Sequence, residues 1–218
     1  MKAKAIRRAS FWTIIYIVCA YFFVTFVAPY FGNWNVSLEP RKIAEIGWII
    51  AHYSFGFFAL FLAPFQFLPT IRSKYPYYHR TAGKIYIIGS IISSLLVFYL
   101  LTNYPLAGGI PSLGLLSFLW LCFTITAWWL AKKRSFNLHR QFMIRSYVCA
   151  MSFVYLRIID RIDEYTGVLS FITDDETRKT VIDWTWIFPF LITECFIQWY
   201  PSIKKLTPKQ ITRNLSKS

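Results

Sequence analysis

From Ile85 to Ala131 the chain carries no formal charge. A helix of about 20 apolar residues crosses a bilayer core, so this run is long enough for two crossings. Pro105, Gly108, Gly109 and Pro111 mark the break between them. A second uncharged run lies between Glu45 and Arg72. The chain therefore reads as all-α: a polytopic membrane helical bundle with six transmembrane helices in one integral membrane domain. The expected spans are about 11–31, 45–68, 84–104, 112–131, 139–159 and 181–200, followed by a basic tail over 201–218. Composition agrees, with 16% charged residues against about 25% in soluble domains. The first apolar run, Phe11 to Phe31, is too long for a signal-peptide core and lacks a small-residue cleavage site. It reads as an uncleaved span.

Charge placement sets the expected topology. A net charge of +14 suggests nucleic acid until its distribution is seen. The basic residues gather in the N-terminal tail, around Arg72–Lys84, around Lys132–Arg140 and in the C-terminal tail. These segments fall on one side of a six-span chain. Nine of the ten acids, from Glu39 and Glu45 to Asp174, Asp175, Glu176 and Asp183, fall on or near the other; Glu194 is the exception. The positive-inside rule then puts both termini in the cytoplasm. The fifth span is the least apolar, since it contains Arg145 and Arg157, yet without it the basic C-terminal tail would be outside. The expected partner is the lipid bilayer, with anionic headgroups at the cytoplasmic face, and not nucleic acid. Protein partners are not legible.

Cys19, Cys122, Cys149 and Cys195 all lie in apolar runs without CxxC or finger spacing and read as packing residues. Asn35-Val36-Ser37 and Asn214-Leu215-Ser216 match the short glycosylation sequon. No GxGxxG, Walker loop or HExxH is present.

The three histidines each head a helical face of small or polar residues. From His52 the face runs Gly56, Ala59, Ala63, Gln66. From His79 it runs Gly83, Tyr86, Ser90, Ser93, and from His139 it runs Met143, Ser146, Ala150, Phe153. Small residues admit a close helix or a flat cofactor, and ordinary helix packing explains the same pattern. His79-Arg80 and His139-Arg140 both open spans that follow basic turns, with Tyr86 and Tyr147 one stretch further on, which suggests a degenerate repeat. At equal depth, His79 and His139 are candidate axial ligands for a haem b iron; the bland alternative is that they face headgroups. No metal is expected beyond such a haem iron. His52 is a further cofactor-binding candidate; with no matching outer histidine to make a second haem layer, it reads as an outer polar site in its span. Arg145 and Glu194 sit at similar depth and form a candidate buried pair, with Arg157 and Gln66 assigned to the same polar network. Asp183 is expected to pair with Arg157 or Arg161.

His52 with Gln66-Phe67, then Arg72, His79-Arg80, Gly83 and Tyr86, then His139-Arg140, Met143, Arg145-Ser146-Tyr147 and Arg157 resemble the bacterial multi-pass membrane family catalogued as domain of unknown function 2306. The resemblance covers roughly residues 45–160. It implies the multi-pass fold and the cytoplasmic membrane of a bacterium, and brings no reaction with it. A weaker likeness is to helical-bundle b-type cytochromes such as the cytochrome b561 and ferric-reductase groups, which place four histidines in two layers where this chain has three. Two functions are left open: a haem-binding or quinone-linked redox membrane protein, and a non-enzymatic transporter or assembly factor built on the His/Arg/Glu network.

Overall fold

The computed structural model describes residues 2–32, 45–103 and 109–201, which are helical over almost their whole length and contain no strand. Helix α1, Lys2–Phe22, continues as a π-helical stretch Phe23–Val27 and a 3-10 turn Ala28–Tyr30. Pro29 supplies no N–H to the carbonyl one turn below it, and the ladder shifts register there. The same device recurs at the other end of the described chain, where a π-helical stretch Cys195–Trp199 precedes Pro201. Between them lie α2 (Ile46–Gln66), the short α3 (Pro69–Lys74), α4 (Pro76–Asn103), α5 (Gly109–Lys132), α6 (Phe136–Thr166), α7 (Asp175–Trp184) and α8 (Ile187–Glu194).

Among the described residues six stretches are long and apolar enough to cross a membrane: Ser10–Tyr30, Ile46–Gln66, Pro76–Asn103, Gly109–Lys132, Phe136–Thr166 and Asp175–Trp199. Three extend six residues or more beyond the expected ends, each for a local reason. Helix α4 starts at Pro76 and not near residue 84, because proline is well placed in a first helical turn. The basic turn thereby becomes helix, and His79 and Arg80 ride on it. Helix α6 runs to Thr166, past the expected residue 159. Its polar end is laced by Arg157–Asp160 and Arg161–Glu164 pairs at i,i+3, and Gly167 (φ 61°) ends it in the left-handed conformation. The last span starts at Asp175 and not near residue 181. Asp174 caps it by accepting the Thr177 N–H at 2.7 Å, and the Thr177 bonds hold that carboxyl below the usual range. The sequons at Asn35 and Asn214, Glu39, Pro105, Gly108 and the tail from residue 202 lie outside the described residues.

Helices α4, α5 and α6 form the inner layer. Between 39% and 50% of their most apolar stretches is buried, against 11–17% in the other three spans. The stripes headed by the histidines are the seams of this core. Ala59, Ala63, Tyr86, Ser90, Ser93, Ser146 and Ala150 are all buried. Gly89 of α4 meets the backbone of α2: a Cβ there would lie 2.8 Å from the Phe55 carbonyl oxygen. In lipid the hydrophobic effect does not favour helix against helix, so such close backbone approach is what small residues provide. The turn between α5 and α6 is a Schellman closure, with the Ser135 N–H donating to Leu130 O and the Arg134 N–H to Ala131 O, both at 3.0 Å. Arg134 takes the left-handed position at φ 59°. This reversal brings the start of α6 back against the end of α5.

Candidate functional site

A cavity of about 370 Å³ opens in the half of the bundle that bears the acidic residues. Phe22, Phe23, Phe26 and Val27 of α1 and its π-helical extension wall one side, with Tyr53, Phe57, Trp120 and Phe153 on the others. Away from Arg157 and Asp160, the polar side chains that interrupt these walls are His52 and Ser93. They hold each other across the α2–α4 seam. His52 Nδ1 lies 3.0 Å from the Ser93 carbonyl oxygen and 2.9 Å from its hydroxyl, and the Ser93 hydroxyl donates to the His52 carbonyl at 3.1 Å. The consistent assignment puts the proton on Nδ1, donated to Ser93 O. Nε2 then carries the lone pair, and it has no hydrogen-bond partner among the described residues. Gly56 makes the approach possible, since a Cβ there would sit 3.3 Å from Ser93 Oγ. Phe153 meets the imidazole edge to face at 6.2 Å.

The other sequence candidates separate into distinct places. His79 and His139 do lie near each other, at the basic end. His139 Nδ1 is 2.8 Å from the Ala127 carbonyl oxygen, held by the tight α5–α6 turn. His79 Nδ1 is buried without a partner. Neither histidine lines either of the two large cavities. Arg145 and Glu194 form a two-pronged pair, Nε to Oε1 at 2.6 Å and Nη2 to Oε2 at 2.8 Å, which ties α6 to α8. Arg157 does not join them. It lies twelve residues, about 18 Å, further along α6, at the mouth of the histidine cavity, half exposed and 3.9 Å from Asp160. Gln66 is also apart, buried at the end of α2 against Gly83 of α4. Asp183 makes no ion pair with Arg157 or Arg161 among the described residues; Arg161 pairs with Glu164 at 2.9 Å instead. Helix periodicity fixes which residues share one helix face, but not how neighbouring helices are rotated about their axes.

A match to a family model covers residues 49–197, with the description predicted membrane protein (DUF2306). The chain belongs to that family. No curated protein and no solved structure matches it. The family region of this DUF2306 protein takes in His52, His79, His139, Arg145 and Glu194 and leaves out α1, which supplies one whole wall of the cavity.

Several residues of this DUF2306 protein that organise the site were not singled out from sequence. Thr124 joins a buried hydroxyl chain: Tyr86 Oη to Ser146 Oγ at 2.7 Å, Ser146 Oγ to Thr124 Oγ1 at 2.7 Å, and Thr124 Oγ1 donating to Trp120 O at 2.7 Å. Around it Ser90 Oγ, Ser117 Oγ and Trp120 Nε1 are buried without partners. Each interhelical bond of this kind contributes about 0.6 kcal/mol in a bilayer, so the chain sets helix register more than it adds stability. Asp163, 7% exposed, accepts the Leu169 N–H at 2.7 Å and lies 3.5 Å from Arg178, closing the acidic end over α6. Among the described residues no group of three or more His, Cys, Asp or Glu side chains converges as a metal site, and the four cysteines are unbridged.

Proposed function

We propose that this DUF2306 protein binds a lipophilic, ring-bearing molecule of the quinone class in the histidine cavity, within the cytoplasmic membrane of a bacterium. The observation that carries the reading is His52: a half-buried imidazole fixed through Nδ1, with Nε2 unpartnered among the described residues, in a cavity walled mainly by aromatic and aliphatic side chains. Ligand sites of this size pair apolar walls with a few convergent polar groups. A ring fits between aromatic faces. A neutral Nε2 accepts a hydrogen bond from a quinol hydroxyl. Ser93 serves as the positioning residue that keeps the tautomer in place. Arg157 and Asp160 polarise the mouth. With the positive-inside rule this mouth faces away from the cytoplasm and both termini face it.

The haem reading of His79 and His139 draws support only from their closeness and the bond that orients His139. The transport reading draws little from Arg145 and Glu194, because each satisfies the other's charge.

The test is titration of the purified protein in mild detergent with a short-chain ubiquinone, followed by quenching of indole fluorescence; Trp120 is in the cavity wall. Saturable quenching is expected, weakened about tenfold or more in His52→Phe, the loss of one hydrogen bond to a polar head. Non-saturable quenching, or a His52→Phe variant that binds like the wild type, sinks the proposal. A b-type absorbance band lost in His79→Ala or His139→Ala would replace it with the haem reading.

A further inference from the structure

We infer that a second cavity, at the basic end of the bundle, is a binding site for an anionic glycerophospholipid. This cavity, about 700 Å³, lies in the groove between α1, α6 and α8, away from His52. Its chemistry divides along its length. At one end are Arg72 of α3 and Arg140 of α6; among the described residues neither has an ion-pair partner and no acidic residue lines the cavity. Exposed arginines alone are ordinary for a membrane interface. Gln66 is not ordinary. It is 9% exposed, it lines the same cavity, and its Nε2 is buried with no hydrogen-bond partner. A buried amide donor left unmade costs about 1–3 kcal/mol, and an acceptor in the cavity removes that cost. Two guanidinium groups and an amide donor, with no acceptor charge beside them, suit a phosphate and its ester oxygens.

The remainder of the cavity is apolar and selects a lipid over a free anion. Trp12 stacks flat on Phe67 (5.7 Å, 4°) beneath the arginine end. From there Ile144, Val148, Met151 and Tyr155 continue along α6. Arg140 to Tyr155 spans fifteen residues, about 22 Å, so an acyl chain can follow the groove while its phosphate stays at the basic interface. Basic pockets between transmembrane helices on the cytoplasmic side are suited to anionic lipid heads.

The experiment is native mass spectrometry of the full chain, delipidated in detergent and then dosed with phosphatidylglycerol or phosphatidylcholine. One phosphatidylglycerol per chain is expected to survive gas-phase activation that strips phosphatidylcholine. The double variant Arg72→Gln/Arg140→Gln should lose that retention by about tenfold or more. The control Arg80→Gln/Lys133→Gln removes as much charge from outside the cavity and should keep it. Ile144→Trp leaves both arginines and fills the groove, and should lose the lipid as well; it carries the test if the double variant does not fold. Equal retention of the two lipids, equal effects of the two double variants, or displacement by millimolar inorganic phosphate would overturn the inference.

Discussion

Arg145 has a side chain 6% exposed and Glu194 19%. Neither charge is tolerable alone at that depth, and their two parallel bonds make each the other's solvent. The guanidinium also lies over the Phe142 ring at 5.1 Å. The asymmetry of buried pairs follows. Removing one partner leaves an uncompensated charge, whereas replacing both by apolar side chains does not. Arg145→Ala or Glu194→Ala should therefore lower unfolding stability in detergent by about 3–5 kcal/mol, and Arg145→Met/Glu194→Leu should recover most of that. A double variant as unstable as either single one would mean the pair has a further role. This pair was legible from depth alone, since two opposite charges in adjacent apolar spans have few other choices. The His52–Ser93 bond was not. Both residues stood on predicted stripes, but which stripe faces which depends on helix rotation.

Helices meet here through their glycines and prolines. Pro64 inside α2 cannot donate to the carbonyl of Leu60, and Tyr147 of α6 reaches that freed oxygen at 3.5 Å. Tyr16 of α1 donates to the neighbouring Phe61 carbonyl at 3.0 Å. A break in one helix thus becomes a docking point for two others. Gly89 has the opposite role, keeping the α2–α4 seam closed. Gly89→Ala puts a methyl 2.8 Å from a backbone oxygen that no side-chain rotation can clear, and should cost about 1–3 kcal/mol by overpacking. Gly47→Ala, with nothing within 4 Å, is the matched control and should be neutral or slightly stabilising. Thermal unfolding of the two variants side by side checks this. Equal midpoints would mean the helices can part at Gly89 without penalty.

The molecule as a whole is polarised. Arg72 and Arg140 line the cavity that holds Gln66, and Asp160 lines the one that holds His52, at the end of α6 where Asp163 and Glu164 also lie. If the positive-inside rule orients it, Lys133→Cys lies in the cytoplasm and Thr173→Cys outside; both positions are exposed. A membrane-impermeant maleimide applied to intact cells should label Thr173→Cys and reach Lys133→Cys only after permeabilisation. The reverse pattern would invert the orientation and with it the side to which the histidine cavity opens.

The amino-acid order by itself determined that the chain is a bundle of six membrane-crossing helices. Length and polarity along the chain are one-dimensional quantities, and a bilayer reads them directly. It also determined that residues on one helix share a face, because 3.6 residues per turn is a property of the backbone. Only the tertiary structure decided which faces meet. It separated Arg157 and Gln66 from Arg145 and Glu194, left His79 and His139 outside both cavities, and joined His52 to Ser93. Rotation of each helix about its axis is set by contacts between distant residues such as Gly89 and Phe55, and no local period in the sequence carries that angle.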